Sequence, residues 1–307
     1  MPHPHEPATA PDEHRHPAGD EPLWSESYYL DFVDPDRGVG GYVRLGILPN
    51  LGRSWYWACV VGPDRPLVTV IDHDVPLPTG GGTEIRHEGL WAAYTVETAL
   101  EHVSVGVEAF GVALDDPAEA YRSLRGDRTP LGLDLEWETD GGTYRYPGVD
   151  RYEVPCRVHG EVLVGDESFQ VDGHGQRDHS WGNRDWWSIA WSWTSGRLDD
   201  GTRFHGTGVD LAGEPVYATG YVIGPGGPLV GTDVARHAED VDAWGLPTGG
   251  TWQVGDLDLT VAPVAHAPVL LEAPDGRVSR FPRAWTTYES ADGRRGHGWT
   301  EWNQPQP

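Results

Sequence analysis

Asp-Gly dipeptides at positions 140, 172, 200, 275 and 292 constrain the fold of this chain more than any other feature. Such a pair supplies the positive-φ residue that a short connection between antiparallel strands requires. Short runs rich in Val, Ile, Thr, Tyr and Trp lie between these points, among them 27–33, 41–48, 54–61, 67–73, 90–99 and 103–113. Others follow at 157–164, 186–194, 202–211, 216–223, 251–254, 257–263, 283–290 and 296–302. With 41 Gly and 26 Pro in 307 residues, long elements are disfavoured. The expected fold class is all-β, a sandwich or closed antiparallel barrels. One short helix is predicted, capped by Asp116, with Pro117 at its first position and Ala118–Arg125 continuing it.

The turn-rich segment 139–149 (TDGGTYRYPGV) suggests a boundary, which predicts domains at 23–147 and 148–307. Residues 1–22 are rich in Pro, His and Ala and poor in large apolar side chains, and they read as a disordered tail. Two W-x-W pairs, Trp55/Trp57 and Trp191/Trp193, hint that the halves are related.

The formal net charge is −26. A field of that sign repels phosphate backbones and anionic headgroups, which argues against a nucleic-acid or membrane-surface partner. No apolar run approaches the ~20 residues of a membrane span. The chain contains no lysine, which excludes Schiff-base and phosphate-loop lysine chemistry. Cys59 and Cys156 are too few for a disulfide framework and are expected as reduced thiols of a cytoplasmic protein.

Chemistry concentrates in Gly173–Trp187 (GHGQRDHSWGNRDWW), where three Trp, two Arg-Asp pairs and two His lie between glycines that permit close backbone approach. In an extended strand Arg177, His179 and Trp181 point one way and Asp178 and Ser180 the other. Read as a strand, 186–194 places Trp187, Ile189, Trp191 and Trp193 on one face, either a core or a cavity wall. Across the next connection, a two-residue Asp-Gly turn sets Asp210 opposite Trp191. A turn one residue longer brings His205 to the tryptophan face instead. A carboxylic acid held against Trp has a raised pKa and can protonate an alkene, and indole faces stabilise the resulting cation. The bland alternative makes Arg177–Asp178 and Arg184–Asp185 ion pairs that pin the loop. A metal site from His174, His179 and His205 finds no supporting motif.

The run Arg177-Asp178-His179-Ser180-Trp181-Gly182 resembles the D-H-x-W-G signature of the carotenoid hydratase (hydroxyneurosporene synthase-like) and AttH-like lipocalin group. Gly296-His297-Gly298-Trp299-Thr300-Glu301 is similar to its closing strand. The resemblance implies two packed lipocalin-like barrels, a hydrophobic small-molecule ligand, no cofactor and no metal. By position His179 and Trp181 match the motif His and Trp of the hydratases, whose later Tyr-x-Asp is missing from 204–210. The expected enzyme performs acid-assisted hydration or cyclisation of an isoprenoid, polyene or polyketide-like molecule. Asp178, His179 and Asp210 or His205 would supply or relay the proton. Trp181, Trp187, Trp191 and Trp193 would shape the cavity, and Arg177 and Arg184 would orient the acids. A non-catalytic lipocalin-like carrier is the competing expectation.

Overall fold

A computed structural model describes residues 7–236 and 239–307. The fold is all-β, 65% strand, with two large antiparallel sheets and no helix of seven or more residues among the described ones. The first sheet opens with the meander β1 (Trp24–Asp34), β2 (Val39–Leu48), β3 (Arg53–Gly62) and β4 (Arg65–Val75). It continues with β5 (Ile85–His87), β6 (Leu90–Thr98), β7 (His102–Leu114), β8 (Asp127–Thr139) and the short β9 (Tyr144–Arg145). The last two strands are β10 (Arg151–Val164) and β11 (Glu167–Asn183). In space the order is β4-β3-β2-β1-β11-β10-β8-β7-β6-β5, and β4 also pairs with the end of β7, which nearly closes a barrel. The curled sheet encloses an apolar interior.

The second sheet holds β12 (Ala190–Leu198), β13 (Arg203–Leu211), β14 (Glu214–Ile223) and β15 (Leu229–Thr232). It continues through β16 (Val234–Arg236), β17 (Asp240–Val241), β18 (Pro247–Val254) and β19 (Leu257–His266). Its remaining strands are β20 (Val269–Glu272), β21 (Val278–Phe281), β22 (Arg283–Ser290) and β23 (Arg295–Pro305). The two sheets together match the expected pair of lipocalin-like barrels.

Burial patterns record which strands lie between the barrels. Every residue of β1 and β2 is buried, so both faces are covered. Along much of β7, by contrast, inward residues alternate with more exposed ones, which marks a strand with one solvated face. On β1 the residues Tyr28, Leu30 and Phe32 enter the first barrel's core, while Tyr29 and Val33 join the core between the sheets. Both W-x-W pairs enter that shared core.

Five expectations need correction. The sheets divide the chain after Asn183, not near 147, because β10 and β11 return to pair with β8 and β1. The motif therefore lies in the first barrel. Residues 7–22 are packed, not a free tail: Ala8, Asp12 and Glu13 are buried, while residues 1–6, including His3 and His5, lie outside the described residues. Segment 184–189 is not strand, so strand parity fails there and Trp186 and Trp187 enter the same core. The predicted helix is a 3-10 turn, Pro117–Tyr121, with Asp116 accepting from the Ala118 N–H as a cap should. Of the Asp-Gly pairs, Asp172-Gly173 sits inside β11 and makes no turn. There a Cβ on Gly173 or Gly175 would collide with the Val33 or Asp31 carbonyl of β1, as the close-approach reading requires.

Candidate functional site

Strand β11 splits the motif between two environments. Arg177 and His179 face the interior of the first barrel, whereas Asp178 faces the second sheet. The register places Tyr152, His179, Tyr28, Leu45 and Tyr56 in one row across β10, β11, β1, β2 and β3. Residues paired across neighbouring strands share a face, so this row lies along the inner wall.

His179 is 1% exposed, and its Nε2 lies 3.0 Å from Oε1 of Glu26, which is fully buried. With Nε2–H donating to that carboxylate, Nδ1 is left as the acceptor, and the Tyr152 hydroxyl stands 3.4 Å away. The Tyr28 ring stacks on His179 at 4.2 Å and Trp181 tilts against it at 5.3 Å. Burial pushes the His179 pKa down, so the imidazole is neutral near pH 7. Burial raises Glu26, but hydrogen bonds from His179 and His16 outweigh it and keep the carboxylate ionised. The result is a neutral imidazole oriented by a carboxylate, the arrangement of a general base.

The N-terminal segment completes this end of the barrel. His16 Nδ1 donates to Glu26 Oε1 at 2.8 Å, and its ring stacks on Trp181 at 3.6 Å. Arg177 donates through NH1 to Glu13 at 2.7 Å, while its Nε and NH2 have no partner. The Tyr94 hydroxyl reaches the same Glu13 at 3.5 Å. His16, Glu26 and His179 bring donor atoms within 4.8 Å of one another, the one group so spaced among the described residues. These atoms are engaged with each other in hydrogen bonds. His174, His179 and His205 do not converge: their partners are the His297 carbonyl, Glu26 and Tyr146.

Beyond Tyr28 lies a small apolar pocket, with a free volume of about 20 Å³, lined by Tyr28, Leu30, Val43, Leu45, Tyr56, Thr83, Ala92, Ala93, Tyr94 and Val105. Thr83, Ala93 and Tyr94 also border an open groove of about 470 Å³ formed with residues of the 76–86 segment. Trp187, Trp191 and Trp193 do not line it. They pack in the core between the sheets, where the Trp187 indole donates to the Leu271 carbonyl. Of the four expected cavity tryptophans, only Trp181 touches His179.

On the other face of β11, Asp178 and Glu153 both bind Arg151, at 2.8 and 2.7 Å. Glu153 also accepts from Gln176 and the Trp193 indole, each at 3.0 Å. The Tyr146 hydroxyl sits 2.7 Å from His205 Nε2 and 3.0 Å from Glu153. The connection after β12 decides His205 over Asp210. Leu198 N–H donates to Thr202 O around a three-residue loop with Gly201 at φ +87°, one residue longer than the two-residue turn. Trp193 therefore pairs with Thr207, Ser195 with His205, and Asp210 with Ala190 on the opposite face. Burial lowers His205 to about 4 and raises Asp178 to about 7, the latter against the attraction of Arg151.

Neither Arg-Asp pair of the motif is an ion pair. Arg177 binds Glu13, Asp178 binds Arg151, and Asp185 binds Arg277 at 3.0 Å. Arg184 sits over the Trp186 ring, and burial depresses it to about 10. Glu13, Glu26, Tyr28, Tyr94, Arg151, Tyr152 and Glu153 were not singled out from the sequence, and His16 was read only as part of a solvated tail. Adjacent inward positions on β1, which pairs directly with the motif strand, are the signal that could have pointed to Glu26 and Tyr28.

Residues 9–306 match the family DUF7064, described as a domain of unknown function. The chain belongs to that family. No curated protein matches it. Among solved structures, an AttH protein from Nitrosomonas europaea superposes with a TM-score of 0.63 at 15% identity, covering 91% of this chain and 92% of that one. Kievitone hydratase from Nectria haematococca gives 0.60 at 9%, covering 92% and 90%. CghA with Sch210972 gives 0.58 at 10%, covering 93% and 89%. Likeness at these identities is one of fold, and it agrees with the AttH-like lipocalin architecture that the motif suggested.

Proposed function

We propose that this DUF7064 protein is a hydratase-type enzyme that adds or removes water, or closes a ring, on an apolar small molecule held in the first barrel. The observation that carries this reading is His179, buried and bound to an ionised Glu26, directly behind the Tyr28 ring that lines a small apolar pocket beside an open groove. His179 is the base. Tyr28 and Tyr94 are the substrate-facing phenols, and burial raises both pKa values so that each keeps its proton near neutral pH. In hydration, a phenol gives its proton to one alkene carbon while water adds to the other. The proton lost by water returns through His179 to the phenolate, so the protein ends unchanged. Kievitone hydratase, by its name, performs such a reaction on a similar scaffold.

The pocket is small, so only a compact reacting group enters it and the rest of the molecule lies in the groove. Asp178 and His205, expected from the sequence to relay protons, become parts of the barrel–barrel contact in this reading, and Asp210 has no part in it. The test is turnover of compact alkenes and enones in H₂¹⁸O, followed by mass spectrometry. The wild-type protein should incorporate label, and His179→Ala should lower the rate about 100-fold or more. Binding without incorporation across the panel would favour the carrier.

A further inference from the structure

One polar atom of the cavity wall is unaccounted for by the proton chemistry. Tyr56 lines the cavity, is 3% exposed, and its hydroxyl has no hydrogen-bond partner. Its surroundings are apolar: burial alone shifts its pKa upward, with no charged group contributing. Leaving a buried hydroxyl unpaired is destabilising, a cost that phenylalanine at the same position would avoid. The other wall hydroxyl on a small side chain, Thr83, is satisfied by the Tyr94 carbonyl at 2.5 Å.

The position of Tyr56 is informative. It stands in the same wall row as His179, three strands away through Tyr28 and Leu45. At about 4.8 Å per strand, that is about 14 Å along the curved wall, and less straight across. Tyr28 and Tyr56 line the same pocket two strands apart, so a molecule reacting beside Tyr28 reaches toward Tyr56.

We propose that Tyr56 donates a hydrogen bond to a carbonyl or hydroxyl oxygen at the end of the substrate remote from the reacting carbon. This rests on the cavity reading above and names its substrate class: compact, mostly hydrocarbon, with one acceptor oxygen opposite the reacting end. An all-hydrocarbon polyene would leave the hydroxyl unpaired and is disfavoured.

The test compares two probes of one shape, 1-tetralone and tetralin, by calorimetric titration of the full chain. The wild type should bind the ketone about three- to tenfold more tightly, the range of one neutral hydrogen bond. The bound ketone's C=O stretch should move to lower frequency. Tyr56→Phe should abolish both the preference and the shift while melting at the same temperature or higher. A preference that survives in Tyr56→Phe, its absence in the wild type, or failure of both probes to bind would each overturn the assignment. His179→Ala should keep the preference, so loss of the catalytic reading and loss of this one are separately visible.

Discussion

The two faces of β11 are built from neighbouring residues and do opposite things with them. On one, His179 and Glu26 border the part of the barrel where Tyr28 and Tyr94 line a cavity. On the other, Asp178, Arg151 and Glu153 are locked by charge-assisted bonds, and the Tyr146 hydroxyl stands between Glu153 and His205. Both faces are buried and both have shifted pKa values, so perturbation alone does not mark the reactive one. What sets the inner face apart is the apolar pocket lined by Tyr28, Tyr56 and Tyr94. We therefore read the inter-barrel face as a polar joint and propose the inner face as the site.

Breaking the joint should have the largest effect on stability. Glu153→Ala leaves Arg151 with only Asp178 and strips partners from Gln176 and Trp193. Loss of about 3–5 kcal/mol is expected in urea unfolding. A loss below 1 kcal/mol would mean that the joint contributes little. On the inner face, Ala92→Leu crowds the small apolar pocket, should cost about 1–3 kcal/mol through overpacking, and should weaken tetralone binding several-fold. Destabilisation with unchanged binding would show that the cavity is not where ligands sit.

Proton linkage distinguishes the faces more finely. His205, lowered to about 4, binds its proton more readily in the unfolded chain, so it adds stability as pH rises from 4 to 6.5. Asp178, raised to about 7, does the opposite: the folded state holds the extra proton, and stability falls between about pH 4 and 7. Asp178→Asn should therefore steepen the rise of melting temperature between pH 4 and 6.5 relative to wild type. An unchanged slope would place the Asp178 pKa near its ordinary value. The smallest effect concerns the inner face: the acid limb of kcat/KM should lie below pH 6.5, because His179 resists protonation.

Much of this was legible in the chain. The Asp-Gly spacing announced a β architecture, and strand parity separated Arg177 and His179 from Asp178. What failed, failed for physical reasons. The connection at 199–201 is one residue longer than its dipeptide suggests, and a one-residue slip exchanges Asp210 for His205. The 139–149 loop resembles a linker because its turn chemistry is local, whereas the β1–β11 pairing that overrides it spans about 150 residues. The His179 partners Glu26 and His16 are as remote, and nothing in their local pattern reports that contact. The segment 7–22 lacks apolar residues for a core of its own and borrows the barrel's. The tryptophan run misled because large aromatics serve a sheet-on-sheet core as well as a ligand wall.

The central claim is that chemistry occurs on the His179 face and not on the Asp178 face. Turnover and melting temperature of His179→Ala and Asp178→Asn, measured side by side at pH 7.5, test it most directly. The expected outcome is that His179→Ala folds but loses turnover about 100-fold or more, while Asp178→Asn keeps turnover within a few-fold. Intact turnover in His179→Ala, with its loss in a well-folded Asp178→Asn, would contradict the assignment and move the site to the joint between the barrels.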